Sequence, residues 1–265
     1  MKELSEITRP ISNALKQFDV VFEEEVGAET FPMNTIMHYA MDNKGKRLRP
    51  ILVLLSSQLF GEVNEQTLRA ATFVEMLHTA TLIHDDVVDG SSQRRGKASV
   101  NAHWDNNSAV LAGDYLLAKA MKLIASPSDS DILNEMLNTT LAMSEGELMQ
   151  NQMNGEATMQ EATYLDIITR KTALLMRSCC VIGALSVNAH TDLINRIADF
   201  GLNFGILFQM TDDIIDADNP NEVAMAKALL PTYKQRALEA LQGLSPSETL
   251  TAFKELVDYC VGRKK

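Results

Sequence analysis

The stretch AATFVEMLHTATLIHDDVVDG, residues 70–90, decides how this chain is read. Its apolar residues return every three or four positions. Phe73, Leu77, Ala80 and His84 fall on one face of a helix, and Val74, His78, Thr81 and Asp85 on another. The same spacing runs through residues 109–124, 132–148, 164–189 and 193–210. No run alternates with period two, and no Asn-Gly type of hairpin signal separates apolar runs. The expected fold class is therefore all-α, a bundle with on the order of ten helices.

Helix ends are marked where the pattern stops. Gly61 follows ILVLLSSQLF, Gly90 to Gly96 is a polar loop, and Ser126-Pro127-Ser128 precedes a helix that Asp129 or Ser130 could cap. Residues 151–158 read as another polar break. Neither a composition shift nor a repeat of solenoid length divides the chain, so one domain over residues 1–265 is expected. Residues 174–185 and 201–210 are apolar nearly all round, which places those helices at the centre of the bundle.

Composition narrows the function classes. With 46% hydrophobic residues in 265, the chain can bury a core and is not disordered. Its longest run without Asp, Glu, Lys or Arg, residues 178–191, holds Asn and His and is too short for a membrane span of roughly 20 apolar residues. The N-terminal MKELSEITRP has no apolar region of the secretory type, and three cysteines, two adjacent (Cys179, Cys180), suit reduced thiols. A cytoplasmic protein is expected. The net charge of −11 argues against a nucleic-acid partner, whose phosphates need a basic surface. It does not argue against small phosphorylated substrates, which a few local cations can hold.

Two pentapeptides carry the chemistry: Asp85-Asp86-Val87-Val88-Asp89 and Asp212-Asp213-Ile214-Ile215-Asp216. Each has carboxylates at i, i+1 and i+4, so the first and last share a helical face. Each ends an apolar helix. Like charges at i and i+4 cost about 0.2–0.5 kcal/mol, and acids near a helix C-terminus oppose the helix dipole by roughly 0.3–1 kcal/mol. One such cluster could be a solvated helix end. Two with the same spacing indicate hard cations that relieve the repulsion, and Mg²⁺ prefers one or two carboxylates together with water and phosphate oxygens. Cations suited to phosphate are also present: Lys46, Arg47 and Arg49 in GKRLRP, and Arg94-Arg95 just past the first acidic motif. Two acidic and two basic clusters suggest two diphosphate sites, one bridged by metal and one held by cations directly. His78, Asp85 and Asp89 share one stripe, and Gln209, Asp212 and Asp216 another.

In these residues the chain resembles the trans-isoprenyl diphosphate synthases, most closely those that make long all-trans-polyprenyl chains. The matching stretches are GKRLRP (45–50), EMLHTATLIHDDVVDGSSQRRG (75–96), GDYLLAKA (113–120), EGELMQ (145–150), RKTALL (170–175) and GILFQMTDDIID (205–216), in family order. The resemblance implies a helical bundle around a deep central cavity, with the two aspartate motifs facing each other across its mouth. It implies Mg²⁺ on Asp85, Asp89 and Asp212, and isopentenyl diphosphate on Lys46, Arg49, His78 and Arg95. Arg94, Lys171 and Gln209 would contact the allylic diphosphate, with Thr172 near the reacting carbons, so that Lys171, Thr172 and Gln209 form the catalytic set. The allylic C–O bond would ionise, and the alkene of isopentenyl diphosphate would attack the cation. The chain shows no Ser-His-Asp or Cys-His arrangement that would suggest a protein nucleophile instead. The family also implies a homodimer.

Bulky aromatic residues four and five positions before the first aspartate shorten the product in this family. Here those positions hold Thr81 and Ala80, so products longer than C20, in the C30 to C40 range, are expected, with Leu77, Val74 or a facing helix as a deeper stop. The pattern departs from the family after Asp216. A lysine-bearing stretch that closes the site is expected there, yet Ala217-Asp218-Asn219-Pro220 leads almost at once to the C-terminal helices. Either the protein carries a deletion near 218–221, or the sequence closes over a mobile lid, which is the reading preferred here. Two rivals remain. A terpene cyclase would usually replace the second aspartate motif and lack the Lys46/Arg49 cluster, and the chain could instead be one subunit of a synthase that needs a separate partner.

Overall fold

The computed structural model describes residues 2–42, 45–153 and 159–263. Their order is α1 (Leu4–Ile7), a 3₁₀ turn at Arg9–Ile11, α2 (Ser12–Val26), α3 (Met33–Met41), α4 (Leu48–Phe60) and α5 (Glu65–Val88). A two-residue hairpin of β1 (Gln93–Arg94) and β2 (Lys97–Ala98) follows, then α6 (Val100–His103), α7 (Asn106–Leu123), a 3₁₀ turn at Pro127–Asp129 and α8 (Ser130–Met153). The chain continues with α9 (Glu161–Ile168), a π-helical turn at Thr169–Ala173, α10 (Leu174–Leu185), α11 (Thr191–Asp216), α12 (Pro220–Ala240) and α13 (Glu248–Val261). The all-α reading holds, and no helix is long and apolar enough to cross a membrane among the described residues.

The caps follow the sequence. Asn64 starts α5 by accepting from the Thr67 amide at 3.0 Å, while its own amide donates to the Thr67 hydroxyl at 3.3 Å. Asp105 and Ser247 cap α7 and α13 through the amides of Ser108 and Leu250. Asp129, a candidate cap for α8, is instead buried and accepts from Gln66 and Arg69 of α5. The polar break at 151–158 is only partly visible: α8 runs on to Met153, and residues 154–158 lie outside the described set.

Centrally lie α4, α5, α10 and α11. Leu52–Leu55, Phe73, Val74, Met76 and Leu77 are fully buried, as are Cys179, Cys180, Ile182, Phe200 and Leu207. This matches the helices that are apolar all round. Glycine brings two of them together: a methyl group on Gly205 would stand 2.5 Å from the Ala173 Cα, and one on Gly201 2.8 Å from the Arg177 Cα. Backbone contact there seats α11 directly on the π-turn, one helical turn before Gln209.

Two local features differ from the sequence reading. The run over residues 164–189 is not one α-helix but is widened by the π-turn, which carries Lys171 and Thr172. Such single turns often sit at functional sites, because the extra residue redirects side chains. The polar loop after α5 holds a minimal hairpin, closed by Arg95 (φ 51°) and Gly96 (φ 79°). Positive φ at both central residues suits a tight hairpin turn; Gly96 takes it freely, whereas Arg95 takes it at some cost. At the other motif the chain turns from α11 to α12 through Ala217-Asp218-Asn219, with Ala217 left-handed (φ 57°) and Asn219 accepting from the Asn221 amide at 3.0 Å. Residues 216–221 are all described.

Candidate active site

The first aspartate motif closes α5. Its middle carboxylate, Asp86, is 4% exposed and accepts from Arg94 of β1, with Nε at 2.9 Å. That pair ties the hairpin to the helix end. Asp85 is half-buried, and Asp89 is exposed at the C-cap. Burial pushes the Asp85 carboxyl up to about 6, and Glu147 of α8 adds to the rise, while Lys171 and Arg94 oppose it. Glu147 itself pairs with Lys171 at 2.7 Å. The EGELMQ helix thus brings a further carboxylate to the first motif.

The second motif closes α11 in the same way. Its middle carboxylate, Asp213, accepts from the Tyr164 hydroxyl at 2.5 Å and from Gln209 Nε2 at 2.9 Å. The Gln209 carbonyl accepts from the Thr172 hydroxyl, also at 2.9 Å. A relay from the π-turn through α11 to α9 therefore fixes the Gln209 amide orientation. Lys171, Thr172, Gln209, Asp213 and Glu222 line one small cavity of about 80 Å³. Glu222, on the first turn of α12, has its carboxyl raised by burial and then by Asp213. Asp212 points elsewhere and pairs with Arg263 at 3.0 Å; burial raises its carboxyl, and Arg263 opposes the rise.

Cations gather in a separate cavity of about 510 Å³. Lys46, Arg49, His78, Arg95 and Arg263 line it, with Phe208 and Tyr259 as apolar wall. This is four of the predicted cation-site residues in one place. The His78 imidazole is held well below its ordinary value, by burial first and then by Arg49, Arg95 and Arg94, so it is neutral near pH 7. Arg49 feels the opposing fields of Glu75 and Asp212 on one side and Arg95 on the other, and its Nε is buried without a partner. An electropositive cavity in a chain of net charge −11 is a focused anion site.

The structure thus separates the predicted residues into the cation cavity and the Lys171–Thr172–Gln209 cavity. Arg94 lines neither, being bound to Asp86. Asp85, Asp89 and Asp212 do not converge: among the described residues no three His, Cys, Asp or Glu side chains could hold a metal ion by themselves. Sequence reasoning missed Arg263, Glu147 and Tyr164 as members of the site. Glu147 lies in a stretch that was matched, but nothing in its spacing singles it out, and Arg263 sits in a basic C-terminal GRKK that reads as a solvated end.

A helical bundle whose two acidic helix ends adjoin cation-lined cavities has the architecture of the isoprenoid synthases. The chain belongs to the polyprenyl synthetase family, whose model matches residues 32–229, in agreement with the resemblance carried by the motifs. The all-trans-nonaprenyl-diphosphate synthase (geranyl-diphosphate specific) of Rhodobacter capsulatus is 34% identical over 212 residues, 80% of this chain and 65% of that protein. Heptaprenyl diphosphate synthase component 2 of Geobacillus stearothermophilus is 33% identical over 213 residues, 80% of this chain and 66% of that protein. The chain therefore spans just under two thirds of the length of these relatives. The polyprenyl synthase of Caulobacter crescentus CB15, solved in complex with calcium and isoprenyl diphosphate, superposes with a TM-score of 0.91 at 25% identity, over 99% of this chain and 98% of that one.

Proposed function

We propose that this protein is a trans-prenyltransferase that condenses isopentenyl diphosphate with an allylic diphosphate to give a long all-trans-polyprenyl diphosphate. The observation that carries the reading is the cation cavity of Lys46, Arg49, His78 and Arg95 close to Asp212 and distinct from the cavity of Lys171, Thr172 and Gln209. Two diphosphates need two such places. The donor chemistry fits Mg²⁺: Asp85 offers hard carboxylate oxygens whose charge is disfavoured by burial first and by Glu147 second, a cost that a divalent cation offsets. Asp85, Asp89 and Asp212 would hold the ions together with diphosphate oxygens and water, which accounts for carboxylates that do not converge by themselves. Mg²⁺ bound there supplies positive charge that stabilises the departing pyrophosphate.

The chain's own residues do the rest. Lys171 exchanges Glu147 for the allylic diphosphate, and Gln209, fixed by Asp213 and Thr172, donates to it from its amide. Lys46, Arg49 and Arg95 hold isopentenyl diphosphate by charge, and neutral His78 by hydrogen bonding. Thr172 lies at the reacting end. Once the allylic C–O bond breaks, the alkene attacks the carbocation and a proton passes to the departing pyrophosphate. The names of the nonaprenyl and heptaprenyl synthase relatives favour products above C20, and the small side chains of Ala80 and Thr81 before the first motif support that reading.

Leu111, Leu137, Leu141 and Leu148 on α7 and α8 are exposed, Leu141 by 67%. Such apolar surface supports a homodimer. The component 2 relative supports a second reading, a catalytic subunit that needs a partner chain. Three buried, unpaired cysteines suit a cytoplasmic location. The intact mass of the purified protein separates a deletion near 218–221 from a lid over which the sequence closes: 29.3 kDa marks the first, and several kDa more marks the second. One incubation with farnesyl diphosphate, labelled isopentenyl diphosphate and Mg²⁺ tests the activity. Extended prenyl diphosphates are expected; cyclic hydrocarbons or no turnover would refute it, and turnover only with an added partner would favour the second reading.

A further inference from the structure

Arg47 lies between two proposed ligand-binding cations, yet it does not serve the cavity as they do. Its Nη1 stands 2.7 Å from Glu75 Oε1, and the two side chains are only 13% and 7% exposed. The guanidinium also lies over the Phe22 ring, 4.2 Å from its centroid. Charge and face are both occupied. The Arg47 backbone is left-handed (φ 54°), an uncommon state for a residue with a side chain, and it begins α4 by accepting from the Ile51 amide at 3.0 Å. That corner sets the directions of Lys46 just before it and Arg49 just after it. Glu75 stands on α5 three residues before His78, on the same face, and both line the cation cavity.

We infer that Glu75 is a positioning residue of the cation cavity: by clamping Arg47 it holds the strained 45–49 corner, and so aims Lys46 and Arg49 at the diphosphate that His78 also meets. A buried ion pair of this kind contributes to specificity of arrangement more dependably than to stability. The inference rests on the reading of that cavity as the isopentenyl diphosphate site. It also carries a sign that simple electrostatics does not. Removing a carboxylate from a cationic cavity should tighten an anion; loss of the clamp should loosen it.

The test is calorimetric binding to the full-length protein, so that it does not depend on turnover. Isopentenyl diphosphate is titrated without metal, and a non-ionising thio-analogue of farnesyl diphosphate is titrated with Mg²⁺. E75Q, which keeps the shape and loses the charge, should weaken isopentenyl diphosphate at least tenfold and leave the analogue within about twofold. R47K, which keeps the charge but loses the fork and the stacking, should do the same, and it decides the matter if E75Q does not fold. The E75Q/R47Q double variant should bind no more weakly than E75Q alone, because the two residues act as one unit. Unchanged or tighter binding in E75Q overturns the inference, and so does equal weakening of both ligands, which would mark a merely structural role. If the wild type binds both ligands but does not extend the chain, the proposed activity fails while this inference stands; if it does not bind isopentenyl diphosphate, both fail.

Discussion

The two aspartate motifs have the same spelling and unequal surroundings. In each, the middle carboxylate is held by hydrogen bonds within the protein, the first is half-buried and the fifth is exposed. At the first motif the partner is a cation, Arg94, and the chain goes on into a basic hairpin. At the second the partners are neutral, Tyr164 and Gln209, and the chain turns at once into α12, where Glu222 adds another carboxylate. The outer residues differ as well: Asp212 is matched by Arg263, whereas Asp85 faces Glu147. The comparison teaches that the spelling fixes which carboxylate is held within the protein, while the neighbours decide how the charge of the first one is balanced.

The largest expected effect comes from the outer aspartates. D85N and D212N should each lower kcat by about 10²–10³-fold at saturating Mg²⁺, with D85N the more severe because the Asp212 charge is already partly balanced by Arg263. Equal, small losses would break the distinction. The middle aspartates should separate next. D86N gives up a charged lock and should cost about tenfold in kcat/KM, whereas D213N keeps two neutral hydrogen bonds and should stay within roughly threefold. Steady-state kinetics of the four variants sharpens or dissolves the contrast.

A smaller change concerns the product rather than the rate. Ala80 is 1% exposed and stands one helical turn before the first motif on α5, so A80F should shorten the chains seen on chromatography; an unchanged distribution removes α5 as the cavity wall. The smallest effect is on the stability of the metal-free protein. Burial raises Asp85, to about 6, and also Asp212 and Asp213, above their unfolded values. Protonation therefore favours the folded state. Thermal melting in a metal chelator should show stability present near pH 4 and lost as the pH rises through about 6. A midpoint that rises over that window would contradict the burial of these carboxylates.

Much of the fold was legible because it rests on periodicity. Phe73, Leu77 and Ala80 of the face that also carries His84 are buried, whereas His84 at its end is partly exposed. The candidate site was legible where residue types are unusual: an arginine pair after three aspartates, or two aspartate motifs in one chain. Other parts were hidden for physical reasons. The π-turn at Thr169–Ala173 depends on one extra residue per turn, which a helical pattern does not reveal. The Arg94–Asp86 bond arises from a hairpin with Arg95 left-handed, where no Asn-Gly announces the turn. Glu75, Glu147 and Arg263 owe their places to neighbours far away in the chain, and only packing brings those together.

The central claim is that both acidic rims hold metal around one diphosphate while the Lys46–Arg49–His78–Arg95 cavity holds another. A crystal structure with Mg²⁺, isopentenyl diphosphate and a non-ionising allylic analogue tests it most directly. The account predicts Mg²⁺ on Asp85 and Asp89 and on Asp212, together with the allylic diphosphate, and the isopentenyl diphosphate on Lys46, Arg49, Arg95 and the neutral His78. A rim without metal, or both diphosphates bound away from the aspartates, would contradict it.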